Sequence, residues 1–270
     1  MPARLSRRVS AVPPQHGAWA FLGLPFATAL TVSLRSPLLL VLAIAWAAAY
    51  PVSYVVLAVV RDRASRRPHP DRFLRPMLPW SVALVTAGTI VLVLRPWLAW
   101  VMLAYAASFL VNVRFARRHD ERALLNDAVF IGQCAAMTVV TWAVAVGDRS
   151  LTPPSLTAAP AHVWVLTAAV AMLLAGSTLH VKSLIRERAD PRFRRLSHGF
   201  ALASLAASAG LAAWWGLPRG LLLIAPFAWF AGRSLALRGP SPRPSRIGLV
   251  ELVGFLLLVA CAAVAQAGSP

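Results

Sequence analysis

The chain has 270 residues, of which 59% are hydrophobic and 13% charged, with a mean hydropathy of +0.67. Soluble domains run near roughly 45–50% apolar and about 25% charged, so a soluble globular class is excluded and a polytopic membrane protein is indicated. A formal charge of +18 invites a nucleic-acid reading, which the placement of the basic residues removes below. Cys134 and Cys261 lie in separate apolar runs with no CxxC or Cys/His cluster, so the sequence supports neither a zinc site nor a disulfide framework.

Residues 1–14 are short and basic, like the start of a secretory signal. The apolar segment behind them is long and runs straight into a second one, so it reads as a retained helix. Nine apolar segments follow, at about 15–34, 37–60, 77–94, 96–113, 127–147, 161–181, 198–216, 219–236 and 247–266. Each is close to the roughly 20 residues that cross a bilayer. The predicted fold class is therefore all-α, a nine-helix transmembrane domain over 15–266, with a tail at 1–14 and a short terminus at 267–270.

With the N-terminus placed in the cytoplasm, only Arg35, Arg95, Arg149 and Arg219 of the 27 Lys and Arg residues fall outside. This asymmetry predicts an N-in, C-out topology. It also makes much of the charge topogenic, available to anionic lipid head groups rather than to nucleic acid. Seven of the nine acidic residues share the same inner side: Asp62, Asp71, Asp120, Glu121, Asp127, Glu187 and Asp190. Asp71, Asp120 and Glu121 are expected simply to balance neighbouring arginines. Any chemistry is expected at this cytoplasmic face.

The first helix opens with PPQHGAWAFLGLP. Proline suits a first helical turn, whose free amide groups favour an anion or polar ligand, making Gln15 and His16 candidates; Gly17 and Ala18 would allow close helix approach. An interfacial histidine without a role is the competing reading of His16. Before the fifth segment, Asn126 suits an N-cap and Asp127 a first-turn carboxylate. Gln133 needs a partner in lipid. Asn112 and His180 stand at inner helix ends, and Glu251 near another. The connection 237–246, rich in Pro, Ser and Arg, reads as irregular.

The stretch TLHVKSLIRERADPRFRR, residues 178–195, carries the densest charge. A helix continued to Asp190 would align Thr178, Lys182, Arg186 and Asp190 along one edge, with Pro191 ending it. Lys182 is the only lysine, in a chain otherwise biased to arginine as a GC-rich genome would make it. It marks a place where a compact ammonium is needed, or else an ordinary cytoplasmic anchor.

QHGAWAFLGLP, RALLND and HVKSLIRER together resemble the YwiC-like family of bacterial membrane proteins, in order and placement over most of the chain. The resemblance implies a multi-pass protein and brings no reaction with it. The architecture is also distantly similar to the UbiA family of intramembrane prenyltransferases, which have nine helices and long cytoplasmic loops after helices two, four and six. That similarity implies a helical bundle binding an isoprenoid diphosphate. Family members carry N-D-x-x-D-x-x-x-D and D-x-x-x-D motifs that hold magnesium. Here the first loop reads RDRASRRPHPDRFLRP, with Asp62 as a remnant and Arg75 at its arginine-proline end. The later one has Lys182, Arg186 and Arg188 without paired carboxylates, so no magnesium cage and no other cofactor is expected.

The resulting expectation is a protein that binds an isoprenoid or other phosphate-bearing lipid through Gln15, His16, Arg75, Asn126, Asp127, Lys182, Arg186 and Arg188. If it is a transferase, His16 or Asp127 is the candidate base. A transporter of a small organic anion, or a structural membrane subunit, is the alternative from a different class.

Overall fold

The computed structural model describes residues 16–33, 35–63, 71–121, 123–237 and 243–267. The expectations for residues 1–14, Gln15 and most of the 237–246 connection lie outside the described residues, as does the side chain of His16. Nine α-helices are present among them. They are α1 (His16–Leu30), α2 (Leu38–Arg63), α3 (Asp71–Leu94), α4 (Leu98–Arg117), α5 (Leu124–Val146), α6 (Ala161–Ile185), α7 (Pro191–Trp215), α8 (Ile224–Ala236) and α9 (Pro244–Ala267). No strand occurs among the described residues.

Seven of these helices are long and apolar enough to cross a membrane, namely α2 to α7 and α9. The described part of α1, Gly17–Leu30, is shorter. The eighth segment departs from expectation: it opens as a 3-10 turn over Arg219–Leu223 and is α-helical for only 13 residues. At 1.5 Å per residue that is about 20 Å, against a hydrocarbon core of about 30 Å. The cause is local. Gly216 caps α7 with φ 111°, a conformation that suits glycine, and Pro226 restrains the residue before it. Gly220 lies so close to the Ala212 carbonyl that any Cβ would overlap it.

The chain forms two compact units. The first holds α2, α3, α4, the opening of α5 and residues 148–153. Here α2 is central, with α3 and α4 both packed on it. Val55, Ala58 and Phe73 make a buried cluster flanked by Tyr54, Val59 and Met77. Trp46 of α2 meets Tyr105 of α4 edge-on at 6.0 Å between ring centroids. Trp97 is buried, and its backbone N–H donates to the Ser150 carbonyl at 3.2 Å. Leu78, Val82, Val85 and Val93 on α3 and Trp100, Leu103 and Leu110 on α4 are exposed. Such an apolar exterior is what hydrocarbon as solvent requires.

The second unit holds α1 from Gly17, α5 from Phe130, and α6 to α9. Val163, Leu166, Val170, Leu173 and Leu174 of α6 are all fully buried. On this core α7 and α9 pack against α6, and α8 packs against α7 and α9. Close approach falls at Gly254 of α9, where a Cβ would run into the Phe230 ring of α8. Gly17, expected to allow such contact, is exposed with open space beside it. Phe230 stacks on Phe255 at 5.9 Å, and Phe21 of α1 meets Phe255 edge-on at 5.9 Å.

Candidate functional site

The polar end of α6 differs from its predicted form. The helix stops at Ile185 rather than running to Asp190, so Arg186 and Asp190 do not continue the edge carrying Lys182. The Lys182 carbonyl accepts from the backbone N–H groups of Arg186 (2.9 Å) and Glu187 (2.8 Å), which turns the chain. Asp190 takes extended backbone and caps α7, its Oδ1 accepting from Arg192 N at 2.8 Å, with Pro191 in the first turn. The reason is that Asp-Pro is a better helix start than a helix end.

Lys182 itself is buried, with 8% of its surface exposed, in the last turn of α6 where a cation complements the helix dipole. Arg186, Glu187, Arg188, Arg192, Arg194 and Arg195 beyond it are exposed. One cation is thus buried in the last turn of α6, and the residues that follow it in the chain, on the turn and the start of α7, carry exposed guanidinium groups. The Ser183 hydroxyl donates to the His180 carbonyl at 2.7 Å within the same turn.

The first unit gathers a separate polar group. Asn126 is not an N-cap: α5 already begins at Leu124, and the amide sits in its first turn. Its Oδ1 accepts from Asn112 Nδ2 at 2.7 Å, and its Nδ2 donates to the Glu121 carbonyl at 2.8 Å. Glu121 in turn pairs with Arg61, Nε to Oε1 at 3.1 Å and Nη1 to Oε2 at 3.2 Å. The C-terminal ends of α2 and α4 and the start of α5 are tied together by these contacts, with Asn112 buried. Asp127 is half-buried in the same turn, and Arg75 is exposed on α3. Asp62 is buried near the end of α2. No group of three or more His, Cys, Asp or Glu residues able to hold a metal occurs among the described residues.

One functional grouping escaped the sequence reading. Arg233, one of the basic residues that the charge asymmetry leaves on the inner side, is a buried residue of α8 paired with Glu251 of α9 at 3.0 Å (Nη2 to Oε2). Only 3% and 6% of the two side chains are exposed. The guanidinium carbon lies 4.0 Å over the Phe230 ring, a cation–π contact. A signal was available, since both residues stand nine positions from residue 242, midway along the connection, where an antiparallel hairpin would set them opposite each other.

Seven helices long and apolar enough to span, and a charge pair buried between α8 and α9, among the described residues, define a multi-pass α-helical membrane protein. A family model described as "YwiC-like protein" matches residues 12–142. The chain is also 30% identical over 262 residues to "Uncharacterized protein YwiC" of Bacillus subtilis (strain 168), a match covering 93% of this chain and 96% of the relative. The protein belongs to the YwiC-like family. No solved structure matches it.

Proposed function

We propose that the protein is a UbiA-like helical bundle of the bacterial cytoplasmic membrane that binds the head group of an isoprenoid or other phosphate-bearing lipid at its cytoplasmic face. The single observation that carries this reading is the buried Lys182, followed at the α6–α7 turn by the exposed Arg186 and Arg188. A compact ammonium and neighbouring guanidinium groups suit a phosphate directly, without a metal ion between. In this reading all nine helices belong to one membrane domain, 15–266, with 1–14 inside and 267–270 outside. Gln15, His16, Arg75, Asn126 and Asp127 are the further candidates for head-group contact, and any transferase chemistry would draw on His16 or Asp127 as base.

The test is mass spectrometry of lipids retained by the purified protein, wild type beside Lys182→Ala. A phosphate-bearing lipid enriched in wild type and lost from the variant is expected. Identical lipid profiles would reduce Lys182 to a topology anchor.

A second reading, a transporter of a small organic anion, draws on a different observation, the Arg233–Glu251 pair between α8 and α9. Ionisable residues inside membrane segments are costly and mark ion and substrate paths.

A further inference from the structure

Three helices of the second unit bring unsatisfied polar groups to one place. Arg233 Nη2 of α8 lies 3.0 Å from Glu251 Oε2, while Arg233 Nε and Nη1 and both Glu251 oxygens are buried with no hydrogen-bond partner among the described residues. Ser177 and His180 share a face of α6, being three residues apart. Ser177 lies against the Glu251 carboxylate, and His180 is within electrostatic range of Arg233. His180 is 2% exposed, and neither ring nitrogen has a hydrogen-bond partner among the described residues. Buried donors and acceptors left unmade cost about 1–3 kcal/mol each, so the cluster calls for a partner that brings acceptor atoms to Arg233 and a proton to the Glu251 oxygens.

We infer that Arg233, His180 and Glu251 form a buried site that takes up a small monovalent oxyanion together with one proton. The argument is charge balance in a medium where an uncompensated ion costs several kcal/mol. The resting cluster holds one guanidinium, one carboxylate and, counting His180 as neutral imidazole, no net charge. An oxyanion entering alone adds an unpaired negative charge. A proton entering alone, on a Glu251 oxygen, leaves Arg233 unpaired. Entering together they restore neutrality: the proton, drawn from the aqueous phase, forms an O–H bond on Glu251. The guanidinium it releases then turns its N–H groups to the oxyanion, with one His180 ring N–H beside them.

Few other titratable groups among the described residues face this cluster. His198 of α7 interacts with His180, and Lys182 follows two residues along α6, off the His180 face. The α1 stretch Gly17–Leu30, which reaches α9 through Phe21 and Phe255, carries none. Phe230, packed on Gly254 and near Gly176, closes the apolar side under Arg233. The inference deepens the transport reading by naming its ligand class and its coupling.

The experiment uses the full-length protein in lipid nanodiscs in weakly buffered solution, with sodium nitrate and sodium methanesulfonate as probes, since neither anion carries a proton at neutral pH. Wild type is expected to take up one proton per bound anion, and by reciprocity to bind the anion roughly tenfold tighter per unit fall in pH. Glu251→Gln is expected to bind the anion with no proton uptake and no pH dependence. Should that variant not fold, the doubly neutral Arg233→Gln/Glu251→Gln protein carries the test, with loss of both binding and uptake expected. Lys182→Ala is expected to retain both, which separates this site from the lipid site. Absence of proton uptake by wild type, or equal uptake by the double variant, overturns the inference. Coupled binding without anion passage in liposomes supports the site and removes the transport reading alone.

Discussion

Arg233 and Glu251 meet at 3.0 Å across α8 and α9, with almost none of either side chain exposed. Removing one partner strands the other charge in an apolar interior, whereas replacing both by apolar groups removes the need for pairing. Glu251→Leu or Arg233→Met alone is expected to cost about 3–5 kcal/mol, and the two together far less. Denaturant unfolding of the three variants in mixed micelles measures the difference, and additive losses would contradict the pairing.

Gly254 admits the Phe230 ring, and that contact seats the ring beneath Arg233. Gly254→Val forces the ring aside and is expected to destabilise by about 1–3 kcal/mol through overpacking. Phe230→Leu in the same chain should recover part of the loss, a coupling that a double-mutant cycle reads directly.

The contacts that join the ends of α2 and α4 to the start of α5 are unequal in worth. Asn126→Ala leaves the buried Asn112 amide without its acceptor and is expected to cost about 1–3 kcal/mol. The Arg61–Glu121 pair is about a third exposed, and Arg61→Ala should cost at most about 1 kcal/mol, less at high salt. Thermal melts at two salt concentrations distinguish the two cases.

Topology gives a fourth expectation. Both native cysteines are buried, so single introduced cysteines report alone. Asp120→Cys should resist a membrane-impermeant thiol reagent in intact cells and react in inverted vesicles, while Thr152→Cys should do the opposite. Labelling of both from the same side would contradict the proposed orientation.

Much of the fold was legible because hydropathy is a one-dimensional signal. Predicted segments such as 161–181 and 247–266 fall within α6 and α9. What hydropathy does not record is where a polar residue points. Asn126 satisfies a capping pattern, yet its amide is drawn to Asn112, fourteen residues away, because that buried amide also needs a partner. Asp190 and Pro191 were read as a helix end when the same pair starts the next helix. Arg233 lies in the last turn of α8, where a cation suits the helix dipole, so its burial against Glu251 is a tertiary fact. Lys182 was singled out by composition alone; its burial needed the coordinates.

The most direct test of phosphate-lipid binding is photo-crosslinking with an isoprenyl phosphate carrying a diazirine near its head group. The account predicts adducts concentrated between residues 180 and 195, competed by unlabelled isoprenyl phosphate and much reduced in Lys182→Ala. Adducts spread over the exposed apolar faces of α3 and α4, unchanged by competitor or by the substitution, would contradict it.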